Sequence, residues 1–392
     1  MTFIRSMGSA LLLAVLPAAD GVQMTGTGVL AAARVDRSAM VEGGVEAMLG
    51  AEGINSEEVS EGGSEAGLVS FFEKYPHTRF SLDKPGFVQR FDWKATRVSH
   101  FKNASLNDLK KNPKTVYAST SPDVINFLIK TLEKNFKGKK TERVLYVSGD
   151  LPLSKLDKEG KVTKNKKGAK GKKPVKGKTI EKLHKLFPGG VWYESFDVSK
   201  KGFRAAPVGL NAQYMRPLYT FAETAIAAAS VENKPRMALA AWGRFHPELD
   251  DKIPARQKLA HWVDTDPAVE AGIEHKTYAP KDFWAKLRLY KFLLVPRSGS
   301  VQSPRLEESL LLLTVPIVTR EGEKTGSKEA AYKDLKTLGY PIVVLDDWSE
   351  ITAPKLDQWW EELHPKLESF RKNCLTTEGF WQLVTGQVEK CE

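Results

Sequence analysis

The stretch that decides the fold runs from Tyr290 to Val318 and has the sequence YKFLLVPRSGSVQSPRLEESLLLLTVPIV. It begins with an apolar run, Phe292 to Val295, that has the length of a buried strand, and a polar loop around Arg297 follows. Pro304 opens a predicted helix whose apolar end leads into a second short strand, Val315 to Val318. A strand, a polar loop, a helix start and another strand in this order are typical of an anion-binding site at the carboxyl edge of a parallel sheet.

Strands and helices alternate along the rest of the chain at a similar spacing. Strands are predicted at 143–148, 191–196, 203–211, 237–242, 274–278 and 341–345, and helices at 121–135, 216–230, 254–263, 280–288, 327–338 and 354–370. The helix at 121–135 has the clearest start, with Ser121 as the cap and Pro122 at its first position. This alternation predicts an α/β fold with doubly wound parallel sheets.

With 392 residues, of which 41% are apolar, the chain is long enough for two domains and tails. Residues 1–22 combine a basic residue, an apolar run and small residues, which is the order of a secretory signal, and the alternative is an N-terminal helix or another targeting peptide. Residues 23–70 are predicted to be a flexible acidic stem, because 41–70 contains seven Glu and no Lys or Arg. The remaining segments are a first lobe at 71–225, a second lobe at 226–350 and C-terminal helices at 351–392. A secretory signal implies residence in the secretory pathway, in the Golgi or the ER lumen.

The net charge of +11 is concentrated in one segment, 155–185, which has thirteen Lys against three acidic residues. This low-complexity run is predicted to be a solvated insertion in the first lobe. The alternative is an electrostatic patch for an acidic polymer or an anionic membrane surface. We expect no nucleic-acid partner, because the run has no interleaved aromatic residues on which bases could stack.

The motifs that the sequence lacks argue against several kinds of site. The chain has no GxSxG, P-loop or HExxH motif, and its two cysteines, Cys374 and Cys391, form neither a CxxC pair nor a cluster with His, so no metal site is predicted. In an oxidising compartment the two cysteines could form one disulfide, and the alternative is two unpaired thiols. Asp264-Thr265-Asp266 matches the Asp-x-Asp pattern of metal-bound diphosphate sites, but the Pro267 that follows favours a turn or a helix start at Asp266.

The chain resembles exostosin-like glycosyltransferases in the second lobe. The motifs that carry the resemblance are Pro296-Arg297 with Gly299, Arg305 with Glu308, the strand 315–318 and Asp346-Asp347-Trp348, with a weaker match at 206–211 in the first lobe. The resemblance implies a GT-B architecture, in which two Rossmann-like lobes face each other across a cleft. It implies a nucleotide-sugar donor on the second lobe and a glycan or glycoprotein acceptor on the first.

The resemblance also implies roles for individual residues. Arg305 would contact the donor diphosphate and Glu308 the ribose, and the donor-binding loop would also contain Arg297, Ser298, Gly299 and Ser300. Because arginines and backbone N–H groups can stabilise a leaving diphosphate, neither a metal nor another cofactor is required. The alternative for Arg305 and Glu308 is an ion pair between residues three apart on a helix. The helix ends at Leu313-Thr314, where relatives often have glycine.

Other residues are candidates for the cleft between the lobes. Arg244 and His246 follow the predicted strand 237–242, and Asn211 ends the strand at 203–211. An inverting transferase needs a general base, and the candidates are Asp150 and Glu194, each near the end of a first-lobe strand. The predicted function is sugar transfer from a nucleotide sugar to a hydroxyl. The alternative is a non-catalytic relative of the same fold that binds a glycan or a polyanion.

Overall fold

The structure is a computed structural model. It describes residues 63–79, 86–97, 112–136, 141–156, 178–242, 254–297, 300–321 and 329–391, and all of them belong to one compact unit. The predicted secretory signal, most of the predicted stem and most of the Lys-rich run lie outside these ranges. Across the described ranges, the helices all fall short of the length and apolarity that a membrane span requires.

The described residues form twelve strands, thirteen α-helices and two short 3-10 helices. The strands are β1 His77–Arg79, β2 Trp93–Ala95, β3 Thr115–Ser119, β4 Val144–Ser148, β5 Val191–Tyr193, β6 Phe203–Ala205, β7 Leu210–Asn211, β8 Arg236–Ala240, β9 Ile273–His275, β10 Tyr290–Val295, β11 Val315–Thr319 and β12 Val343–Leu345. The helices are α1 Glu65–Lys74, α2 Pro122–Phe136, α3 Leu153–Leu156, α4 Thr179–Leu186, α5 Ala212–Met215, α6 Tyr219–Ala227, α7 Pro254–Trp262, α8 Asp266–Glu270, α9 Pro280–Leu287, α10 Arg305–Leu311, α11 Ala331–Thr337, α12 Ala353–Asn373 and α13 Thr377–Val384. The 3-10 helices span Phe87–Arg90 and Trp348–Glu350.

The first sheet has five parallel strands that lie side by side in chain order, β2-β3-β4-β5-β6. Helices α2 and α4, which lie in the connections β3–β4 and β4–β5, contact each other. The predicted helix at 121–135 is α2, whose apolar face is buried. Parallel strands joined by helices confirm the predicted α/β class.

Aromatic side chains from distant parts of the chain pack on the first sheet. The ring of Phe87 meets the ring of Tyr146 on β4 at 5.2 Å and the ring of Phe380 on α13 at 5.9 Å. Phe91 meets Trp381 on the same helix at 5.2 Å. Helix α13, which follows both sheets in the chain, therefore completes the core of the first sheet.

The second sheet is also parallel, with the order β12-β11-β10-β8-β9. The chain moves outward from β8 to β9, returns to the other side of β8 at β10 and continues to β12. This reversal between β8 and β10 is what defines a doubly wound sheet. In such sheets, ligands bind outside the carboxyl ends of the two strands at the reversal.

The stretch Tyr290–Val318 forms the predicted strand, helix and strand, as β10, α10 and β11. Phe292 lies opposite Ala238 on one side and Val315 on the other, so β10 is the central strand of the sheet. The four residues 292–295 are at most 1% exposed, and burial of each such side chain contributes about 1.5–3 kcal/mol.

Helix α10 ends in a Schellman motif. The N–H of Thr314 donates to the carbonyl of Ser309 at 2.9 Å, and the N–H of Leu313 donates to that of Leu310 at 3.0 Å. Leu313 has a φ of 57°, the left-handed conformation that glycine normally adopts at this position. A leucine in this conformation introduces a local strain of about 1–2 kcal/mol, which the complete burial of the Leu313 side chain offsets.

Helix α1 begins inside the segment that the sequence predicts as stem. The side chain of its cap, Ser64, accepts from the N–H of Gly67, and Leu68, Phe71 and Phe72 are buried. Because a helix with a buried apolar face belongs to a folded core, residues 65–70 are part of that core and not of a stem.

Candidate functional site

The reversal point of the second sheet lies between the carboxyl ends of β8 and β10. The chain leaves β8 through Trp242 and leaves β10 through Pro296 and Arg297. Four predicted site residues are in the loops that follow, namely Arg244, His246, Ser298 and Gly299, and they lie outside the described residues. Their roles stay predictions.

Arg297 is held in a buried ion pair. Its Nε lies 2.9 Å from Oε1 of Glu329, and the two side chains are 5% and 4% exposed. Ser300, the next described loop residue, is also buried, and its hydroxyl donates to the carbonyl of Gln302 at 2.6 Å. These two predicted donor-loop residues thus contact protein groups.

Arg305 and Glu308 form the ion pair that was the alternative to donor binding. Nη1 of Arg305 lies 2.6 Å from Oε2 of Glu308, and Nη2 donates to the Tyr214 hydroxyl at 3.1 Å. The guanidinium also lies 4.0 Å from the ring centroid of Phe283. Burial disfavours the charge of Arg305, but the Glu308 carboxylate and the Tyr214 hydroxyl outweigh burial and raise its pKa. The Arg305 side chain is 24% exposed and that of Glu308 is 2% exposed.

The loop after β10 reaches the carboxyl edge of the first sheet. The side-chain amide of Gln302 donates to the carbonyl of Glu194 at 2.6 Å and to that of Ala206 at 2.9 Å. A second contact joins α11 to β6, where the Asp334 carboxylate accepts from the N–H of Ala205 at 2.7 Å and pairs with Arg204. The carboxyl edges of the two sheets therefore lie against each other at these contacts.

The two candidate bases lie at the ends of neighbouring strands and differ in exposure. Glu194, after β5, is fully buried and accepts from the Thr78 hydroxyl at 2.6 Å and from the N–H of Gly149 at 2.9 Å. Asp150, directly after Gly149, is exposed. Glu194 therefore fixes the turn that presents Asp150 to solvent.

Asn211 is the cap of α5. Its side-chain oxygen accepts from the N–H of Gln213 at 3.1 Å and from that of Tyr214 at 3.3 Å. Because the Tyr214 hydroxyl accepts from Arg305, the cap positions a residue that contacts the predicted donor site. The structure thus connects Asn211 to Arg305 through Tyr214.

Glu307 is a buried acid that the sequence did not identify as special. Its side chain is 2% exposed. Burial, with the nearby carboxylates of Glu194 and Glu308, raises its pKa from 4.5 to about 8, although backbone N–H groups of Glu307 and Gly209 act in the opposite direction. Glu307 is therefore mostly protonated at neutral pH. In the sequence, Glu307 is only the neighbour of Glu308, and nothing there predicts that the two carboxylates have different surroundings.

The Asp-x-Asp and Asp-Asp-Trp motifs have structural contacts. Asp266 is the first residue of α8, as predicted, and Asp264 pairs with His275 at 3.2 Å. Asp346 pairs with Arg320 at 2.5 Å, and Asp347 caps the 3-10 helix Trp348–Glu350. In the part of the chain that the structure describes, no three His, Cys, Asp or Glu side chains form a metal-binding group.

By its fold, the described part of the chain is an α/β protein with two parallel five-stranded sheets. No family model and no curated protein matches the chain. Among solved structures, it is similar to the UDP-GlcNAc 2-epimerase from Methanocaldococcus jannaschii, with 10% identity, 69% of this chain and 77% of that chain covered and a TM-score of 0.26. It is also similar to TarM, with 12% identity and a TM-score of 0.26; the likeness covers 69% of this chain and 54% of TarM. The order and pairing of the strands define the fold. Likenesses at this TM-score assign no role to any residue.

Proposed function

We propose that the protein is a glycosyltransferase that moves a sugar from a nucleotide-sugar donor to a hydroxyl of a glycan or glycoprotein. The observation that supports the proposal is the location of Arg305 and Glu308. They belong to the connection that leaves β10 at the reversal of the second sheet, where doubly wound sheets bind ligands. The same connection carries the resemblance to exostosin-like glycosyltransferases.

Arg305 is the donor-binding residue in this proposal. A guanidinium has five N–H donors, and that of Arg305 is bonded to Glu308 and Tyr214, with 24% of the side chain exposed. The remaining donors would contact the diphosphate and stabilise the negative charge that develops as the sugar leaves, with no metal or further cofactor. Glu308 would keep Arg305 charged and oriented, and Ser298 and Gly299 would supply further N–H groups.

Asp150 is the general base in this proposal. It is exposed at a strand end of the first sheet, whereas the Glu194 carboxylate is buried and already accepts two hydrogen bonds. A base must reach the acceptor hydroxyl directly or through one water molecule, and exposure is a condition for that contact. Glu194 would act by fixing the turn at Gly149.

A non-catalytic glycan-binding relative is the second candidate. The observation that favours it is the ion pair of Arg297 with Glu329, in which both side chains are at most 5% exposed. Because Arg297 is paired with a buried carboxylate, the donor loop has one fewer cation that could bind a diphosphate. The Lys-rich run would then contact an acidic polymer or an anionic membrane surface in the secretory pathway. Deletion of residues 157–178 tests that part, because affinity for heparin-like polymers would survive it if the run were a solvated loop.

Nucleotide binding separates the two candidates. We would measure the affinity of nucleoside diphosphates and their sugar conjugates by calorimetry for the wild type and for Arg305→Gln/Glu308→Gln. The double variant removes both charges at once, because loss of Arg305 alone would leave Glu308 buried and unpaired. We expect roughly 10- to 100-fold weaker binding, the effect of losing a charge-assisted contact. Arg288→Gln, just before the amino end of β10, is the matched control.

Two results would count against the proposal. Equal nucleotide affinity of the wild type and the double variant would remove Arg305 from the donor site. If the wild type bound no nucleotide but bound glycans, the non-catalytic candidate would be correct. For the base, Asp150→Asn should abolish release of the nucleoside diphosphate while donor affinity is retained.

A further inference from the structure

The two cysteines, seventeen residues apart at the end of α12 and in the segment after α13, come close together in the folded chain. Cys374 caps the end of α12, where its N–H donates to the carbonyl of Phe370 at 2.8 Å. The N–H of Cys391 donates to the carbonyl of Leu338 at 2.8 Å. The two side chains are 3% and 4% exposed. Their anchors meet where the ring of Tyr340, two residues after Leu338, lies 4.8 Å from the ring of Phe370.

The tail is shaped to bring Cys391 to this position. Residues 386–390 are exposed, whereas Cys391 is buried. Gly339 has a φ of 95°, and a Cβ at this position would lie 1.9 Å from the carbonyl oxygen of Cys391. Only glycine therefore allows the tail to come so close to the end of α11.

We propose that Cys374 and Cys391 are a redox pair that forms an intramolecular disulfide, which closes a covalent loop around helix α13. The inference rests on the backbone anchors of both residues, their common burial and the packing of Tyr340 on Phe370 between the two anchors. It is independent of the proposed transferase activity. An oxidising compartment would favour the bonded form.

The disulfide would hold helix α13 in place, and this helix completes the core of the first sheet. Within the loop, α13 packs Phe380 and Trp381 on that sheet, and the Thr377 hydroxyl donates to the carbonyl of Phe72 at 3.3 Å. Both cysteines are anchored on elements of the second sheet. The disulfide would therefore attach both ends of α13 to the second sheet while its middle covers the first.

The reaction needs a small disulfide, such as oxidised glutathione, as the oxidant. A thiolate of one cysteine attacks the small disulfide and displaces one thiol, and the second cysteine then attacks the mixed disulfide and displaces the other. The two cysteines lose two protons and two electrons, and the oxidant leaves as two thiols. The hydrogen bond to Cys374 and burial raise the pKa of Cys391, so the thiolate forms mainly when the tail lifts or while the chain folds.

The test uses the full chain, equilibrated with oxidised and reduced glutathione and then alkylated in denaturant. We expect the intact mass to fall by that of two hydrogen atoms, with no glutathione attached and no thiol left to alkylate. In the chain-entropy account, closing a loop of this length lowers the unfolding equilibrium constant roughly 100-fold. Cys374→Ser, Cys391→Ser and the double variant should show no such change with oxidant.

Two outcomes would overturn the proposal. The first is oxidised protein that carries glutathione on one or both cysteines or that forms disulfide-linked dimers. The second is wild-type protein whose two thiols are still alkylated after equilibration. Because the mass is measured on the wild type, the test is decisive even if a serine variant fails to fold, and Cys391→Ala then serves as the single-thiol control.

Discussion

Replacement of Glu307 by glutamine should remove a pH dependence from the stability of the protein. The carboxylate is 2% exposed, and burial raises its pKa from 4.5 to about 8. In the unfolded chain the group ionises near its ordinary pKa, so between these two values the folded state binds more protons than the unfolded state. Stability contributed by the neutral acid is therefore complete below about pH 4.5 and is lost as the pH rises toward about 8.

The magnitude follows from the two pKa values. The loss is about 1.4 kcal/mol for each pH unit, which gives about 3 kcal/mol between about pH 5 and about pH 7.5. Glutamine has nearly the same shape as the neutral acid and does not titrate. We therefore expect the difference in free energy of unfolding, Glu307→Gln minus wild type, to increase by about 3 kcal/mol over that interval.

Urea unfolding at a series of pH values measures this difference. A constant offset between the two proteins reports the change in packing and amide hydrogen bonding, whereas only the slope with pH reports the titration. Glu361→Gln, on the exposed face of α12, is the control for removal of a carboxylate. A difference that is flat with pH, or that decreases, would refute a buried neutral acid at Glu307.

Three further substitutions test other contacts. Lys234 donates to the carbonyls of Arg288 and Leu312 and to Thr314, and burial lowers its pKa to about 7. Wild-type stability should therefore rise by about 1.4 kcal/mol per pH unit between about pH 7 and 10.5, and Lys234→Met should lose this rise in urea titrations. Gln302→Ala leaves two buried carbonyls without their donor and should cost about 2–4 kcal/mol, with exposed Gln387→Ala as control; an unchanged urea midpoint would show that this contact does not join the sheets. Asp334→Asn weakens the acceptor of Ala205 and should cost about 1–2 kcal/mol, less in high salt because the pair with Arg204 is partly exposed.

Local sequence signals predicted most of the second sheet. The apolar runs at Phe292–Val295 and Val315–Val318 are strands, and Pro304 precedes a helix, because these signals depend on residues that are close in the chain. The strand 203–211 was predicted as one element but is two, β6 and β7, separated by Pro207 and Gly209. Sequence periodicity alone does not show where such a strand bends away from its sheet.

Contacts between residues that are far apart in the chain could not be predicted from the sequence. Nothing near Phe380 indicates that it packs on Phe87, nearly three hundred residues earlier. The environment of Glu307 depends in the same way on Glu194 and Gly209 from the first sheet. The pairing of Arg305 with Glu308 was predictable as an alternative because the two residues are three apart on a helix, but the burial of Glu308 was not.

The position of α13 has a consequence for synthesis of the protein. The strands of the first sheet leave the ribosome before those of the second, but the helix that covers Phe87 and Phe91 is made only after the second sheet. The aromatic side chains of Phe87 and Phe91 therefore lack the helix that covers them while the entire second sheet is translated. During this interval they are a natural binding surface for a chaperone. A stop codon anywhere before Thr377 would make that exposure permanent, so truncated chains should be captured by chaperones or degraded even when both sheets are complete.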